Sequence, residues 1–239
     1  MPAHKAAKSR RQPVDATPAP AKGGASASSA KAHKEIPTAK RSFLSAFIKN
    51  PTQVGAVIPS SRHLAARMIR VSGIEHARTV VEYGPGTGAF SGHIAAALPK
   101  GAKYFAIELS PSLTAHFKKR YPNLHIHNAS VADLPRLLRL EGLANANSVD
   151  LIFSGLPWAS FDEKLQRQLL STTIRALRPG GVMLTFCYAG LDSITPGGKR
   201  LKKLLPHYFA RADKTDLVLR NFPPAFVYRC IKNVDPTAR

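Results

Sequence analysis

Apolar and polar positions along the chain follow two periods, and the switches between them lay out most of the elements. Residues 79–83 and 103–107 are short apolar runs bounded by turn residues, which predicts buried strands. Runs of the same kind predict strands at 124–128, 149–153 and 182–188. Between the runs the period lengthens. Leu64, Met68 and Val71 on one side, with Arg62, Arg67 and Arg70 around the other, predict a helix capped by Ser60 or Ser61. Helices are also predicted at 90–97, ended by Pro99-Lys100-Gly101, from Ser110-Pro111 to Tyr121, and at 134–143. A longer one at 161–177 turns Leu165, Leu169, Thr172, Thr173 and Leu177 inward, and Pro179-Gly180-Gly181 reads as the turn into the fifth strand. A last helix gathers Leu201, Leu204, Leu205, Tyr208 and Phe209 on one face. Two closing strands, 214–220 and 225–232, are split by Asn221-Phe222-Pro223-Pro224. Strand–helix alternation repeated five times predicts an α/β fold with a mostly parallel sheet covered on both faces.

The ends of the chain read differently. Residues 1–41 are rich in Ala, Lys, Pro and Ser and nearly free of large apolar side chains, so a disordered basic tail is expected. Phe43, Leu44, Phe47 and Ile48 follow at helical spacing, rimmed by Lys40, Arg41 and Lys49. Such a stripe suits either a membrane interface or an ordinary first helix packed on the domain. The expected division is therefore 1–41 tail, 42–71 N-terminal helices facing membrane or substrate, 72–232 folded core and 233–239 flexible end.

Charge sharpens this division. Lysine and arginine number 35 against 14 acidic residues, a formal charge of +21, and residues 42–239 alone still carry +14. The folded part is itself basic and implies an anionic partner: nucleic acid, an acidic lipid surface or an acidic protein. Cys187 and Cys230 lie in apolar strand-like runs and read as buried thiols. No histidine spacing resembles a ligand motif, and His125 and His127 read as faces of a strand, so no metal is predicted. No stretch approaches a transmembrane span, and the start lacks the apolar core of a signal peptide, which leads to the expectation of a cytoplasmic protein.

The candidate chemistry centres on Glu82-Tyr83-Gly84-Pro85-Gly86-Thr87-Gly88, a glycine turn after the first strand. Glycines at 84, 86 and 88 leave no Cβ between the backbone and a bound molecule. Twenty residues on, the second strand ends in Glu108, where a carboxylate would accept from ribose hydroxyls. The order is E-x-G-x-G-x-G, not the dinucleotide pattern G-x-G-x-x-G, and Glu82 would repel a diphosphate. It suits a ligand with an ammonium and a carboxylate. No Gly-Lys-Ser/Thr ends the turn, which excludes a P-loop. The segment resembles motif I of the class I S-adenosylmethionine-dependent methyltransferases, a Rossmann-like fold. With the two closing strands, seven are expected in the sheet. Ligands of open parallel sheets lie beyond the C-terminal strand ends, where the turn at 128–130 and Ser154-Gly155-Leu156-Pro157-Trp158 also fall. Carbonyls of Ser154, Gly155 and Leu156 are candidates to orient an acceptor N–H, and Trp158 or Tyr188 to shield a cationic amine.

Four segments extend the resemblance. Residues 43–61 (FLSAFIKNPTQVGAVIPSS), 82–90 (EYGPGTGAF), 154–161 (SGLPWASF) and 220–229 (RNFPPAFVYR) are similar to corresponding stretches of the bacterial phospholipid N-methyltransferases. That resemblance implies S-adenosylmethionine as donor, S-adenosylhomocysteine as product, and conversion of phosphatidylethanolamine through its monomethyl and dimethyl forms toward phosphatidylcholine. It implies an anionic phospholipid membrane surface as partner, a lipid head group as substrate, peripheral attachment to the inner face of the cell membrane, and no obligate protein partner. The residues implied for the cofactor are Ser60, Glu82, Gly84, Gly86, Gly88, Glu108, Leu109, Ala129, Ser130, Val131 and Ser154. Ser130 departs from the commoner acid at its position. For the acceptor lipid they are Phe43, Phe47, Tyr188, Lys199, Arg200, Arg220 and Arg229, arginine being suited to a phosphodiester.

Three other readings stay open. A ribosomal RNA adenine dimethyltransferase shares the glycine turn and the basic surface, with nucleic acid also reachable through the tail. Here Ser154 stands where that family has Asn, which removes an amide able to engage an adenine amino group. An ornithine-lipid N-methyltransferase differs only in the head group. A basic scaffold that has kept the fold but not the activity conflicts with the intact Glu82, glycines and Glu108.

Overall fold

The computed structural model describes residues 62–234. The expectations for the tail, for Phe43 and Phe47, for Ser60 and for the last residues lie outside these.

The described chain runs α1 (Arg62–Ser72), β1 (Thr79–Tyr83), α2 (Ser91–Ala97), β2 (Lys103–Glu108), α3 (Pro111–Arg120), β3 (Ile126–Asn128) and α4 (Leu134–Leu140). It continues with β4 (Val149–Ser154), α5 (Glu163–Ala176), β5 (Leu177–Tyr188), α6 (Leu191–Ile194), α7 (Pro196–Tyr208), β6 (Arg211–Lys214) and β7 (Ala225–Ile231). The seven strands form one sheet in the order β3-β2-β1-β4-β5-β7-β6. β1 to β5 are parallel, and β7 enters antiparallel between β5 and β6.

The period of two sorts each strand between two cores. Val81, Phe105 and Ile107 face Leu134, Leu169 and Leu201 of α4, α5 and α7. Val80, Ala106 and Phe153 face Leu64, Ile94 and Phe117 of α1, α2 and α3. Both sheet faces are thus covered, which is why the central strands are mostly apolar. Helix starts follow the local chemistry. Ser110 accepts from Leu113 N ahead of Pro111, Asp162 from Leu165 N, and Thr195 from Gly198 N. Cys187 and Cys230 are free and buried, as read from the sequence. Among the described residues no helix is long and apolar enough to cross a membrane.

Two expectations fail at the end of the chain. Pro179-Gly180-Gly181 does not separate a helix from a strand. β5 starts at Leu177 and runs through it, with a register irregularity against β4. Gly180 has φ +71°, and a Cβ on Gly181 would lie 3.1 Å from Val149 O, so the glycines allow a bulge inside the strand. The strand expected at 214–220 lies upstream, at Arg211–Lys214. The alternation that suggested it comes from a fold-back in which Val218 bridges Ala225 while Leu217 and Leu219 point to solvent, 45% and 74% exposed.

Candidate active site

The turn after β1 brings three glycines together at positive φ, 59°, 58° and 82° for Gly84, Gly86 and Gly88. Gly84 N donates to Ile107 O at 2.8 Å, which fastens the turn to β2. Beside Gly86 the space a Cβ would take is open. Gly88 is glycine for another reason: a Cβ there would sit 2.4 Å from the Tyr121 ring. The Tyr121 hydroxyl donates to Gly88 O at 2.9 Å, and Arg120 to Thr87 O at 3.1 Å, so the end of α3 braces the turn. Sequence reading had assigned Gly88 to the ligand; the structure packs it against Tyr121.

Glu108 ends β2 beside this turn, 5% exposed. Its Oε2 accepts from Gly86 N at 3.1 Å and its Oε1 from Ser110 N at 2.9 Å. Burial pushes its pKa up, and the backbone N–H groups partly offset this by favouring the charged form. The third turn closes against it, with Ala129 N donating to Glu108 O, and Asn128 Nδ2 to the carbonyls of Glu108 and Leu109. The Ser130 hydroxyl caps Ala132 N at 3.2 Å, ahead of buried Val131. Gly84–Gly88, Glu108–Leu109 and Ala129–Val131 therefore share one edge of the sheet.

Glu82 stands apart from them. Its carboxyl is 1% exposed, walled by β2 and the first residue of α2. Tyr104 Oη donates to Oε2 at 2.5 Å, but Oε1 and the neighbouring Ser91 Oγ lack hydrogen bonds of normal geometry. Desolvation raises the pKa of Glu82 to about 7; Tyr104, and Ser91 beside it, oppose this, and the charge of Glu108 adds to it. The carboxyl thus faces the packed interior behind the turn. Tyr104 was missed. Its signal was positional: residues 82 and 104 share a face because Glu82 pairs with Ala106 in a parallel register.

On the far side of β1, Gly155 N donates to Tyr83 O at 2.8 Å, so the segment after β4 docks against the glycine turn. A Cβ on Gly155 would lie 2.7 Å from Gly84 O, and the Leu156 side chain packs over Gly84. Ser154 is buried, its Oγ accepting from Trp158 Nε1 at 3.0 Å and its carbonyl from Thr185 Oγ1 at 3.1 Å. Trp158 is 3% exposed and stacks edge-on with Phe161. Its indole is a core anchor and does not shield the cleft, a correction that leaves Tyr188 as the aromatic at the strand ends. Tyr188 is half-buried, and its ring meets Phe186 edge-on at 5.6 Å. Gln166, unremarked in the sequence, holds the surroundings together by donating to Trp158 O and Gly197 O.

The four candidate cations divide. Arg229 donates to Val71 O at 2.8 Å and ties β7 to α1. Arg200 donates to Gln166 Oε1 and Phe161 O, joining α7 to the start of α5. Both are corrected to internal tethers, because their guanidinium groups already serve backbone and amide acceptors. Lys199 and Arg220 are exposed. Arg220 belongs to the turn before Ala225, which pairs with Tyr188 at the C-terminal strand ends.

The residues present fit S-adenosylmethionine. The open flank at Gly86 admits a ligand along the turn, and Glu108 offers acceptor oxygens at the adjoining strand end.

Comparison with known proteins agrees with this geometry. The family described as a methyltransferase domain matches residues 80–181. An ornithine lipid N-methyltransferase from Singulisphaera acidiphila is 31% identical over 193 residues, covering 79% of this chain and 93% of that protein. An O-methyltransferase from Bacillus cereus, solved with S-adenosylhomocysteine, superposes with a TM-score of 0.59 at 15% identity, over 84% of this chain and 93% of that one. The N-methyltransferase NodS from Bradyrhizobium japonicum, also solved with S-adenosylhomocysteine, gives 0.56 at 14% identity, over 80% and 97%. The ornithine-lipid relative overturns the expectation of phosphatidylethanolamine as acceptor.

Proposed function

This chain belongs to the class I S-adenosylmethionine-dependent methyltransferases related to lipid head-group methyltransferases of the ornithine-lipid type, and from that premise we propose that it N-methylates the amine of an ornithine-type lipid at a membrane surface. The observation that carries the proposal is the relative matched over 93% of its own length. S-adenosylmethionine is the cofactor; bound there it would supply an electrophilic methyl carbon for bonding to an amine nitrogen, with the C–S bond breaking to leave S-adenosylhomocysteine and the amine losing a proton to solvent.

The chain's own part is placement and electrostatics, which suffice for such a transfer without a covalent enzyme intermediate. In this reading Gly84 and Gly86 receive the methionine portion, Glu108 the ribose, and Leu109 with Ala129–Val131 the adenine. Ser154–Leu156 form the rim from which carbonyls orient the acceptor amine, and the Tyr188 ring faces its positive charge. The exposed guanidinium of Arg220, with Lys199, takes the anionic group of the lipid. Near Arg220 an open groove of about 400 Å³ is lined by His63, Arg67, Arg70, Leu217 and Leu219. Phe222 is 79% exposed beside it. Apolar side chains rimmed by arginines suit an anionic bilayer, with the 72–232 core held there peripherally.

The test uses labelled S-adenosylmethionine with vesicles carrying ornithine lipid, vesicles lacking an amine head group, and total RNA. Label is expected in the ornithine lipid alone. Label in RNA, or none in lipid from a protein that still binds S-adenosylhomocysteine, overturns the reading. Arg220→Ala is expected to raise the vesicle KM about fivefold, as for one surface cation, and to leave cofactor affinity unchanged.

A further inference from the structure

The sequence reading makes His125 and His127 ordinary strand positions, yet the structure brings both onto one carboxylate. His127 Nε2 lies 2.7 Å and His125 Nδ1 3.1 Å from Glu141 Oε1, and the three potential ligand atoms lie within 4.8 Å of one another. The histidines flank Ile126, His125 just ahead of the edge strand β3 and His127 within it, with ring centroids 4.5 Å apart. The edge of the Phe105–His127 pair, 5.6 Å between centroids, sets the second ring. Glu141 is fixed from behind: its N–H donates to Leu137 O at the end of α4, and the Lys103 ammonium holds its carbonyl. Its side chain and that of His127 are 12% and 16% exposed, while His125 is 55% exposed and leaves a way in.

We propose that His125, His127 and Glu141 form a binding site for a divalent transition-metal ion of the zinc class. Two imidazole nitrogens and one carboxylate are borderline donors that suit Zn²⁺, Co²⁺, Ni²⁺ or Cu²⁺, whereas Mg²⁺ and Ca²⁺ ask for oxygen alone. Tetrahedral Zn²⁺ with Zn–N near 2 Å sets its donors on the order of 3.3 Å apart. Two of the three donor separations, 3.1 Å and 2.7 Å, already lie close to that, the second about 0.6 Å short of it. Three protein ligands leave a position for water. The Lys103 ammonium is the opposing charge, and it addresses the Glu141 carbonyl and not the carboxylate. The ligands stand on either side of residues 128–133, so the ion clips the two ends of the segment that carries Ala129–Val131.

The experiment titrates the untagged full chain with Co²⁺, read by its visible ligand-field absorption, and then competes with Zn²⁺. One saturable site is expected, displaced by Zn²⁺ and indifferent to Mg²⁺. His127→Ala and Glu141→Gln should each weaken it about tenfold or more, since even outer-shell losses cost that much. His125→Asn, at a half-exposed ring, serves as the variant least able to disturb folding, and His116→Ala, an exposed histidine on α3, as the control. Zn²⁺ should raise the melting temperature of the parent and of His116→Ala but not of His125→Asn. An absence of saturable absorption, or binding that survives both His125→Asn and Glu141→Gln, overturns the proposal.

Discussion

The two sides of the sheet hold their shape by different means. From β3 to β4, main-chain bonds join the turns at the strand ends, Gly84 N to Ile107 O, Ala129 N to Glu108 O and Gly155 N to Tyr83 O, and the side chains of Glu108, Asn128 and Tyr121 brace them. From β5 to β6 there are main-chain joints too, such as Ala189 N to Pro224 O, but side chains make the long-range ties to the helices. Arg229 reaches Val71 O, Arg200 reaches Phe161 O, Gln166 spans Trp158 O and Gly197 O, and Lys214 meets Asp192 at 2.7 Å with Tyr228 alongside. Backbone joints survive most changes of side chain, so the first half can keep one cofactor geometry while sequences drift. Side-chain joints can be exchanged singly, so each tie in the second half depends on its own pair of residues.

The division can be broken most forcefully at Gly88. Gly88→Ala adds a Cβ 2.4 Å from the Tyr121 ring at φ +82°. It is expected to cost roughly 2–4 kcal/mol of stability and most of the affinity for S-adenosylhomocysteine, by thermal melts and calorimetry. Removing the ring as well, with Tyr121→Ala, should recover only part, because the backbone conformation still disfavours a side chain.

Glu82 offers the next largest effect and a sign. In the unfolded chain the acid ionises near 4.5, in the folded one near 7. The folded protein therefore holds the extra proton between these values, and stability falls as pH rises through that window. Glu82→Gln should remove this slope. It should stabilise the protein at pH 8 by up to roughly 3 kcal/mol and change little at pH 4, in denaturant melts at the two pH values. An unchanged slope would place the titration elsewhere.

Lys214→Met gives the smallest effect and the cleanest contrast. Asp192, 4% exposed, loses its ammonium partner, although Lys214 itself is 41% exposed on its side chain and screened accordingly. A loss of about 1–2 kcal/mol is expected with unaltered S-adenosylhomocysteine affinity. Affinity falling in step with stability would mean that the two halves are not separable.

The same contrast explains what could be read in the sequence. The central strands announced themselves because both of their faces are buried, and Glu108 was placed by its distance from the glycines. Those signals are local, and so are the joints they describe. Trp158 was legible as a large aromatic at a strand end, but its direction depended on Ser154 accepting its N–H, a fact of the folded state. Arg200 and Arg229 carried charge without revealing that carbonyls distant in sequence would occupy them. The alternation at 214–220 looked like a strand because it recorded a reversal, with Val218 turned in and Leu217 and Leu219 turned out. The choice of head group stayed hidden as well, since none of the stretches read in the sequence distinguishes one amine-bearing lipid from another.

The half-paired acid behind the glycine turn has a thermodynamic signature. Near neutrality Glu82 carries its proton in a fraction of the molecules, since its pKa lies at about 7. Any ligand whose positive charge draws that carboxyl into its ionised form must expel the proton to the solvent. The heat of such an association will then vary with the ionisation enthalpy of the buffer, and the slope of that variation counts the protons released.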